Sequence, residues 1–422
     1  MKILYVLDTF DPKVDGPATV INNIAKILSE NKLAEIDVMV PYFPKYTDNF
    51  PYKVIRVTSL WGPDNYRTPI PQLKMNLAKI IKKGKYDIIH VHSPFTLGKW
   101  AISFAKKHKI PNIITLHTKY KSDFERKLKS KFLQNFMMNY VTKVLNKADY
   151  ALTVSYGFAN EIKETYNYNK KVNVIRNATE FKDTKAPDIV ETLRKKHNLN
   201  DDFVCLFVGR VVKNKKIQFS LEALKQAKEK GYTNFKFLIV GEGDYRSKLE
   251  ELVKKYNLEE NVVFVGLISD RNELGAYYQL SDLFLFPSIF DTCGIVALEA
   301  ASFELPSLMI EDTCASELIV DGDNGFIAPN DTRIWAEKLI DIIHNKDKLE
   351  KTKVRAKETL CQSWEQITME CLNYYKCVIL FNKLKNSHKK EIFKNSTLRK
   401  TNIKLANKIF TPFKRFKNKN NS

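Results

Sequence analysis

Short apolar runs alternate with longer amphipathic stretches along most of this chain. In the first half the runs are KILYVLDT, IDVMVPY, YKVIRV, YDIIHVH, NIITLHT, YALTVS and VNVIRN. In the second half they are FVCLFVGR, FKFLIVGEG, NVVFVGLI, LFLFPS and PSLMI. Their hydrophobicity is continuous rather than alternating, as a strand covered on both faces requires. The helical stretches between them predict right-handed βαβ units, and so parallel sheets sandwiched by helices. Two such series predict an α/β protein of two Rossmann-like, doubly wound domains, over residues 1–181 and 188–360. The charged, Pro-containing KDTKAP segment, Lys182–Pro187, interrupts the pattern between them. An aromatic helix is expected over residues 361–380, returning to the first domain. Residues 381–422 carry no strand pattern and read as a basic tail, amphipathic or disordered.

Composition changes this picture little, except at the end of the chain. Hydrophobic residues are 44% and charged residues 28% of the 422, the balance of a core-forming protein. Lys plus Arg number 69 against 48 acids, a net charge of +21. From Phe381 onward there are 13 Lys/Arg against Glu391 alone, so the basic character belongs largely to the tail. No apolar run approaches the roughly 18–20 residues of a membrane span. MKILYVLDTFDPK reads as a first strand rather than a secretion signal. The six cysteines show neither CxxC pairing nor metal spacing, so reduced thiols and a cytoplasmic protein are expected.

In doubly wound sheets, ligands bind beyond the carboxyl ends of the strands. Gly16, His92, Ser93, His117, Arg210, Gly241 and Gly243 all follow predicted strands, and two facing sheets would gather them round one interdomain cleft. The segment FPSIFDTCGIVALEAASFELPSLMI (Phe286–Ile310) is the most informative. Its strand ends at Pro287–Ser288 and its helix is expected from about Gly294. The amides of Thr292, Cys293, Gly294 and Ile295 then stand at a helix N-terminus, which suits a diphosphate. Asp291 precedes Glu299 by eight residues, so one carboxylate is available to sugar hydroxyls and the other to ribose hydroxyls. Spacing alone favours a plainer alternative, an acidic N-cap and a solvated glutamate on the helix face.

The stretch PSIFDTCGIVALEAASFELP resembles the motif of family 4 retaining glycosyltransferases of GT-B fold, in which seven residues separate two glutamates. VGRVVKNKK (Val208–Lys216) resembles the donor-phosphate motif of the same family. IVGEGDYRSKLE, FVGLI, LSDLFLFPS and SELIVDGDNGFIAP follow in order, and HVHSPFTLG and TLHTKY resemble acceptor-domain segments. The resemblance covers roughly residues 1–380. It implies that Arg210 and Lys215 offset the charge growing on the leaving diphosphate. It also implies that Glu299 binds ribose, Asp291 the donor sugar, and that His117 points at that sugar. Gly16, Gly241, Gly243 and Glu317, the last read at a helix start, become further donor positions; His92, Ser93 and Tyr120 become acceptor-side candidates. The sequence departs from the family in Asp291 for glutamate, Lys216 and Glu304 for glycines, and Asp15–Gly16–Pro17 for a glycine pair.

What the resemblance implies is transfer, with retention, from a nucleotide sugar such as a UDP-sugar, with no cofactor and no metal. Asp321-Gly-Asp323 spells a DxD but reads as an Asp-Gly turn. The acceptor expected is a lipid or a lipid-linked or polysaccharide saccharide, in glycolipid or cell-surface polysaccharide synthesis. Lys119–Leu145 places Phe124, Leu128, Phe132, Phe136 and Met137 at helical spacing among lysines, which suits an anionic membrane or, equally, an ordinary surface helix. With the basic tail, this predicts a peripheral protein on the inner face of the plasma membrane and no specific nucleic-acid partner. Rival expectations are a nucleotide-sugar epimerase, a phosphorylase, or a catalytically silent sugar-nucleotide-binding partner.

Overall fold

The structure, a computed structural model, describes residues 1–12, 15–62, 66–179, 181 and 186–391, with side chains described as far as residue 385. The apolar runs all form strands. In the first half these are β1 (Lys2–Val6), β2 (Glu35–Pro41), β3 (Lys53–Val57), β4 (Ser59–Trp61), β5 (Arg67–Pro69), β6 (Ile88–Val91), β7 (Asn112–Leu116), β8 (Tyr150–Thr153) and β9 (Val172–Val174). In the second they are β10 (Phe203–Val208), β11 (Phe235–Val240), β12 (Val262–Gly266), β13 (Leu283–Phe286), β14 (Ser307–Ile310) and β15 (Phe326–Ala328). A seven-stranded sheet runs β3-β2-β1-β6-β7-β8-β9 and a six-stranded sheet runs β12-β11-β10-β13-β14-β15. Pairing is parallel in both, from Lys2↔Glu35 to Val6↔Met39 in the first and from Phe203↔Phe235 to Val208↔Val240 in the second. In each sheet the chain steps outward from its first strand, then returns to that strand's other side. The reversal points, β1/β6 and β10/β13, are where doubly wound sheets bind ligands. The antiparallel β4–β5 pair and β15 left no mark in the sequence, because strands of three residues are too short to show a period.

The helices are α1 (Gly16–Glu30), α2 (Leu77–Gly84), α3 (Thr96–His108), α4 (Tyr120–Lys127), α5 (Lys131–Lys147), α6 (Tyr156–Thr165), α7 (Pro187–Lys196) and α8 (Ile217–Glu229). They continue with α9 (Arg246–Lys255), α10 (Arg271–Gln279), α11 (Ile295–Ser302), α12 (Thr332–His344), α13 (Lys346–Leu360) and α14 (Trp364–Glu391). Continuous hydrophobicity in β10 has a direct cause. Val204, Leu206 and Val208 pack on one face with Phe284, Phe286 and Leu298, while Cys205 and Phe207 pack on the other with Leu224, Leu249 and Trp335. Each such side chain withdrawn from water contributes about 1.5–3 kcal/mol, so a polar residue at either register is disfavoured.

Tertiary contacts gather into two compact units. One comprises Met1–Thr115, Asn146–Tyr150 and the described part of Thr368–Ser422; the other comprises Leu116–Leu145 and Ala151–Ile367. In the first, Tyr375 of α14 bonds the Tyr5 hydroxyl at 3.1 Å and His90 Nδ1 at 2.7 Å. Two boundaries differ from expectation. The helix expected over residues 361–380 begins at Trp364 and runs through Glu391, and the basic stretch Lys119–Leu145 is two helices, broken at Leu128–Ser130. Residues 182–185, within the expected join, and 392–422, most of the expected tail, lie outside the described residues.

Candidate functional site

Within the second unit, a cleft of about 890 Å³ opens between the loops that follow β7, β10, β11 and β13. Lys119, Arg126, Arg210, Lys213, Lys215 and Lys216 line it, against Asp123, Glu125, Asp244 and Asp291. Cations outnumber acids in a concave setting, which favours a multiply charged anion. The β10 loop is shaped by glycines. Gly241 sits at φ +133°, and a Cβ there would stand 1.9 Å from the Gly209 carbonyl oxygen; one on Gly243 would stand 2.2 Å from that of Val211. This close approach lets Val211 N–H donate to Glu242 O at 2.9 Å and Tyr245 N–H to Val211 O at 3.0 Å. Arg210 and the tight turn Lys213–Lys215 are thereby fixed at the mouth of β10. Gly241 and Gly243 are thus packing glycines, and it is Asp244 and Tyr245 after them that line the cleft.

The β13 loop contributes Phe290, Asp291 and Thr292 to the lining, which does not extend to Cys293, Gly294 and Ile295. Lys215 Nζ donates to Asp291 Oδ1 at 2.7 Å and to Oδ2 at 2.9 Å, an ion pair that sequence spacing did not suggest. The Thr292 hydroxyl donates to the His117 carbonyl oxygen at 2.9 Å. Gly294 precedes α11 in the left-handed region at φ +68°, with its Cβ position against the Phe286 ring, so glycine is required there. Burial pushes the Cys293 thiol up to about 11, keeping it protonated at neutral pH. Burial likewise pulls the His117 imidazole down to about 4, so it lines the cleft as a neutral ring.

Glu299 is buried on the second turn of α11 and is not part of the cleft lining. Its carboxylate accepts from the Tyr278 hydroxyl at 2.9 Å and from Arg271 at 3.4 Å, so it is not a solvated glutamate; nor is Asp291 an N-cap, since Gly294 holds that position in α11. Burial and the Glu299 charge hold the Tyr278 hydroxyl well above its ordinary value, which keeps it a donor. The Arg271 guanidinium lies 4.1 Å over the Phe181 ring.

The remaining candidates lie outside this lining. Glu317 lies in a turn rather than at a helix start, and its carboxylate accepts from the Tyr156 and Gly157 amides at 2.9 and 2.7 Å, capping α6. Tyr120 is buried against Phe124, and its neighbours Ser122, Asp123, Glu125 and Arg126 line the cleft instead. Those four were not singled out from the sequence, where no motif marks them. In the first unit, His92 is buried with its ring 3.9 Å from that of His90. Ser93 donates to Asp8 Oδ2 at 2.6 Å and accepts from the Asp8 amide at 2.8 Å. Asp8, a buried carboxylate not singled out from sequence, also accepts from the Leu97 amide at 2.9 Å and so caps α3. Gly16 opens α1, and a Cβ there would meet open space. Asp321 bridges Gly325 and Asp323 lies in the turn between them; they pair with Lys338 at 2.6 Å and Arg355 at 3.0 Å, respectively. Among the described residues, no group of three or more His, Cys, Asp or Glu is placed to hold a metal ion.

The chain thus consists of two doubly wound parallel sheets, with a cation-lined cleft at the strand ends of the second unit. Two family models match the chain: Glycosyltransferase Family 4 over residues 14–182 and Glycosyl transferases group 1 over residues 189–359. The chain belongs to the family 4 glycosyltransferases and has the GT-B fold. Among solved structures, it is similar to a glycosyltransferase from Rickettsia africae, with TM-score 0.71 and 22% identity over 90% of this chain and 98% of that one. It is also similar to Anabaena HepE, solved in complex with UDP, with TM-score 0.70 and 18% identity over 89% of this chain and 100% of that one. These two likenesses concern the fold. Among curated relatives, alpha-monoglucosyldiacylglycerol synthase of Acholeplasma laidlawii is 29% identical over 69% of this chain and 77% of its own length. The Streptococcus pneumoniae protein of the same name is 26% identical over 76% of this chain and 74% of its own length. The epimerase, phosphorylase and silent-partner alternatives are not favoured by these matches.

Proposed function

We propose that this glycosyltransferase moves a hexosyl group from a UDP-sugar to the hydroxyl of a diacylglycerol-type lipid at the cytoplasmic membrane surface, with retention and without a metal ion. The observation that carries the reading is the cationic lining of the cleft, to which Arg210, Lys213 and Lys215 contribute together with neutral His117. As the bond from the anomeric carbon to the diphosphate breaks, negative charge grows on the leaving phosphate. Fixed cations there stabilise the transition state more than the ground state. The acceptor oxygen attacks from the face the phosphate leaves, and its proton passes to that phosphate. His117, unprotonated at neutral pH, offers a hydrogen bond to a sugar hydroxyl rather than a proton.

Support for a lipid acceptor comes from the two diacylglycerol-named relatives. It also comes from α5, where Phe132 is 80% and Phe136 57% exposed and the exposed Lys127, Lys129 and Lys131 are close by in sequence. Bulky apolar side chains among cations suit an anionic bilayer surface. No helix among the described residues is long and apolar enough to cross a membrane. The test is incubation of the full chain with UDP-glucose and diacylglycerol in phosphatidylglycerol vesicles containing EDTA. Formation of an α-linked glucolipid, identified by proton NMR, is expected. A β-linked product overturns retention, and no transfer from any UDP-, GDP- or ADP-sugar overturns the reading.

A further inference from the structure

We infer that the Lys215–Asp291 ion pair makes the cleft select sugar-bearing nucleoside diphosphates over the bare diphosphate. The inference rests on the donor reading above and adds a selectivity that it does not contain. Lys215 Nζ bonds both oxygens of Asp291, at 2.7 and 2.9 Å. The two side chains are only 17% and 24% exposed, so the pair is poorly screened by water. Lys215 is held in its turn by its amide, which donates to Val212 O at 3.0 Å, and its ammonium lies 5.5 Å from the Phe286 ring centroid. Asp291, with a single methylene, has little reach with which to turn away.

A diphosphate that recruits the Lys215 ammonium must therefore draw it from Asp291. A bare diphosphate then leaves the Asp291 carboxylate without its cation and beside a like charge, an arrangement that opposes binding. A nucleotide sugar brings hydroxyl donors with the phosphate, and these satisfy the carboxylate as the lysine leaves. The same asymmetry acts after transfer. The product diphosphate lacks the sugar that compensated Asp291, so return of Lys215 to Asp291 favours its release.

The experiment is calorimetric titration of UDP and of UDP-glucose into the full chain, as wild type, Asp291→Asn and Asp291→Glu, with thermal unfolding as the control for folding. Asparagine removes the charge but keeps a hydrogen-bonding group, so UDP should bind about tenfold tighter, the size of one charge-assisted interaction. The preference for UDP-glucose over UDP should shrink correspondingly. Asp291→Glu keeps the charge and should keep the preference. Unchanged or weaker UDP binding in Asp291→Asn, with UDP bound by wild type, overturns the inference alone. If UDP and UDP-glucose bind neither wild type nor variant, the UDP-sugar reading falls and the inference with it.

Discussion

The Thr292 hydroxyl reaches the His117 carbonyl oxygen at 2.9 Å, joining residues 175 positions apart in the chain. Both flank the same cleft, Thr292 on the loop after β13 and His117 just past β7. Neither loop is held at that point by a sheet ladder, so this bond sets their separation where the donor sugar is proposed to lie. Thr292→Val keeps the shape and removes the donor. Its expected cost is about 1 kcal/mol of stability, with a several-fold loss in kcat/KM because a mispositioned wall costs rate. Thr292→Ser should restore both. Denaturant midpoints and steady-state kinetics on the three forms decide it, and a valine variant equal to wild type would sink the role.

The His117 imidazole gives a pH prediction with a definite sign. Burial lowers its proton affinity to about 4 from an ordinary 6.5. Between those values the unfolded chain binds a proton that the folded chain does not, so stability falls as pH drops from 6.5 towards 4 and the loss levels off below. Above 6.5 this group contributes no pH dependence. Urea midpoints at pH 7.5 and pH 5 should differ more for wild type than for His117→Gln. Activity should show no acid limb near 6.5 that His117→Gln removes; finding one would mean the ring titrates as an exposed histidine does.

Arg210 stands at the mouth of β10, exposed in the cleft wall and followed by the Lys213–Lys215 turn. If it offsets charge on the leaving diphosphate, Arg210→Ala should lower kcat by about 10²–10³, the scale of removing one preorganised charge-stabilising group. Its thermal stability should change little, because the side chain is exposed. Arg210→Lys should recover part of the rate. A rise in KM with kcat intact would instead assign Arg210 to uniform donor binding.

How far the chain explains itself depends on what each residue is packed against. Strands such as β10 and β11 were legible because both faces are buried, which forces an uninterrupted apolar run. β4 and β5 were not, because three residues cannot display a period. Arg210, Lys215, Asp291 and His117 come from three separate motifs and line one cleft. The Lys215–Asp291 pair was invisible because residues 76 positions apart meet only once β10 and β13 lie side by side. Glu317 misled for a related reason. An acid in a turn looks like a first-turn glutamate of its own helix, whereas here it caps the distant α6. For Gly241 and Gly243 the structure supplies a packing reason that the sequence did not show, the neighbouring backbone at Gly209 and Val211.

The amphipathic segment after His117 resolves into two helices with different fates, and this separates the two readings its spacing allowed. Phe124 of α4 is 9% exposed, and Val141, Val144 and Leu145 bury the C-terminal half of α5, as on an ordinary surface helix. Phe132 and Phe136, in the N-terminal half of α5, face water at 80% and 57% exposure. They have little native packing to lose, so Phe132→Ser with Phe136→Ser should leave thermal stability within about 0.5 kcal/mol of wild type. Each phenylalanine buried in a bilayer interface is worth about 1.5–3 kcal/mol, and the pair should therefore weaken vesicle binding by about a hundredfold or more. Cosedimentation with phosphatidylglycerol vesicles measures this, and the binding should weaken further as salt screens Lys127, Lys129 and Lys131. Activity on a short-chain, water-soluble diacylglycerol should stay near wild type in the double variant while activity on vesicles falls. Equal vesicle binding by the two forms would remove α5 from the membrane surface, and a collapse in thermal stability would make these phenylalanines part of the packing after all.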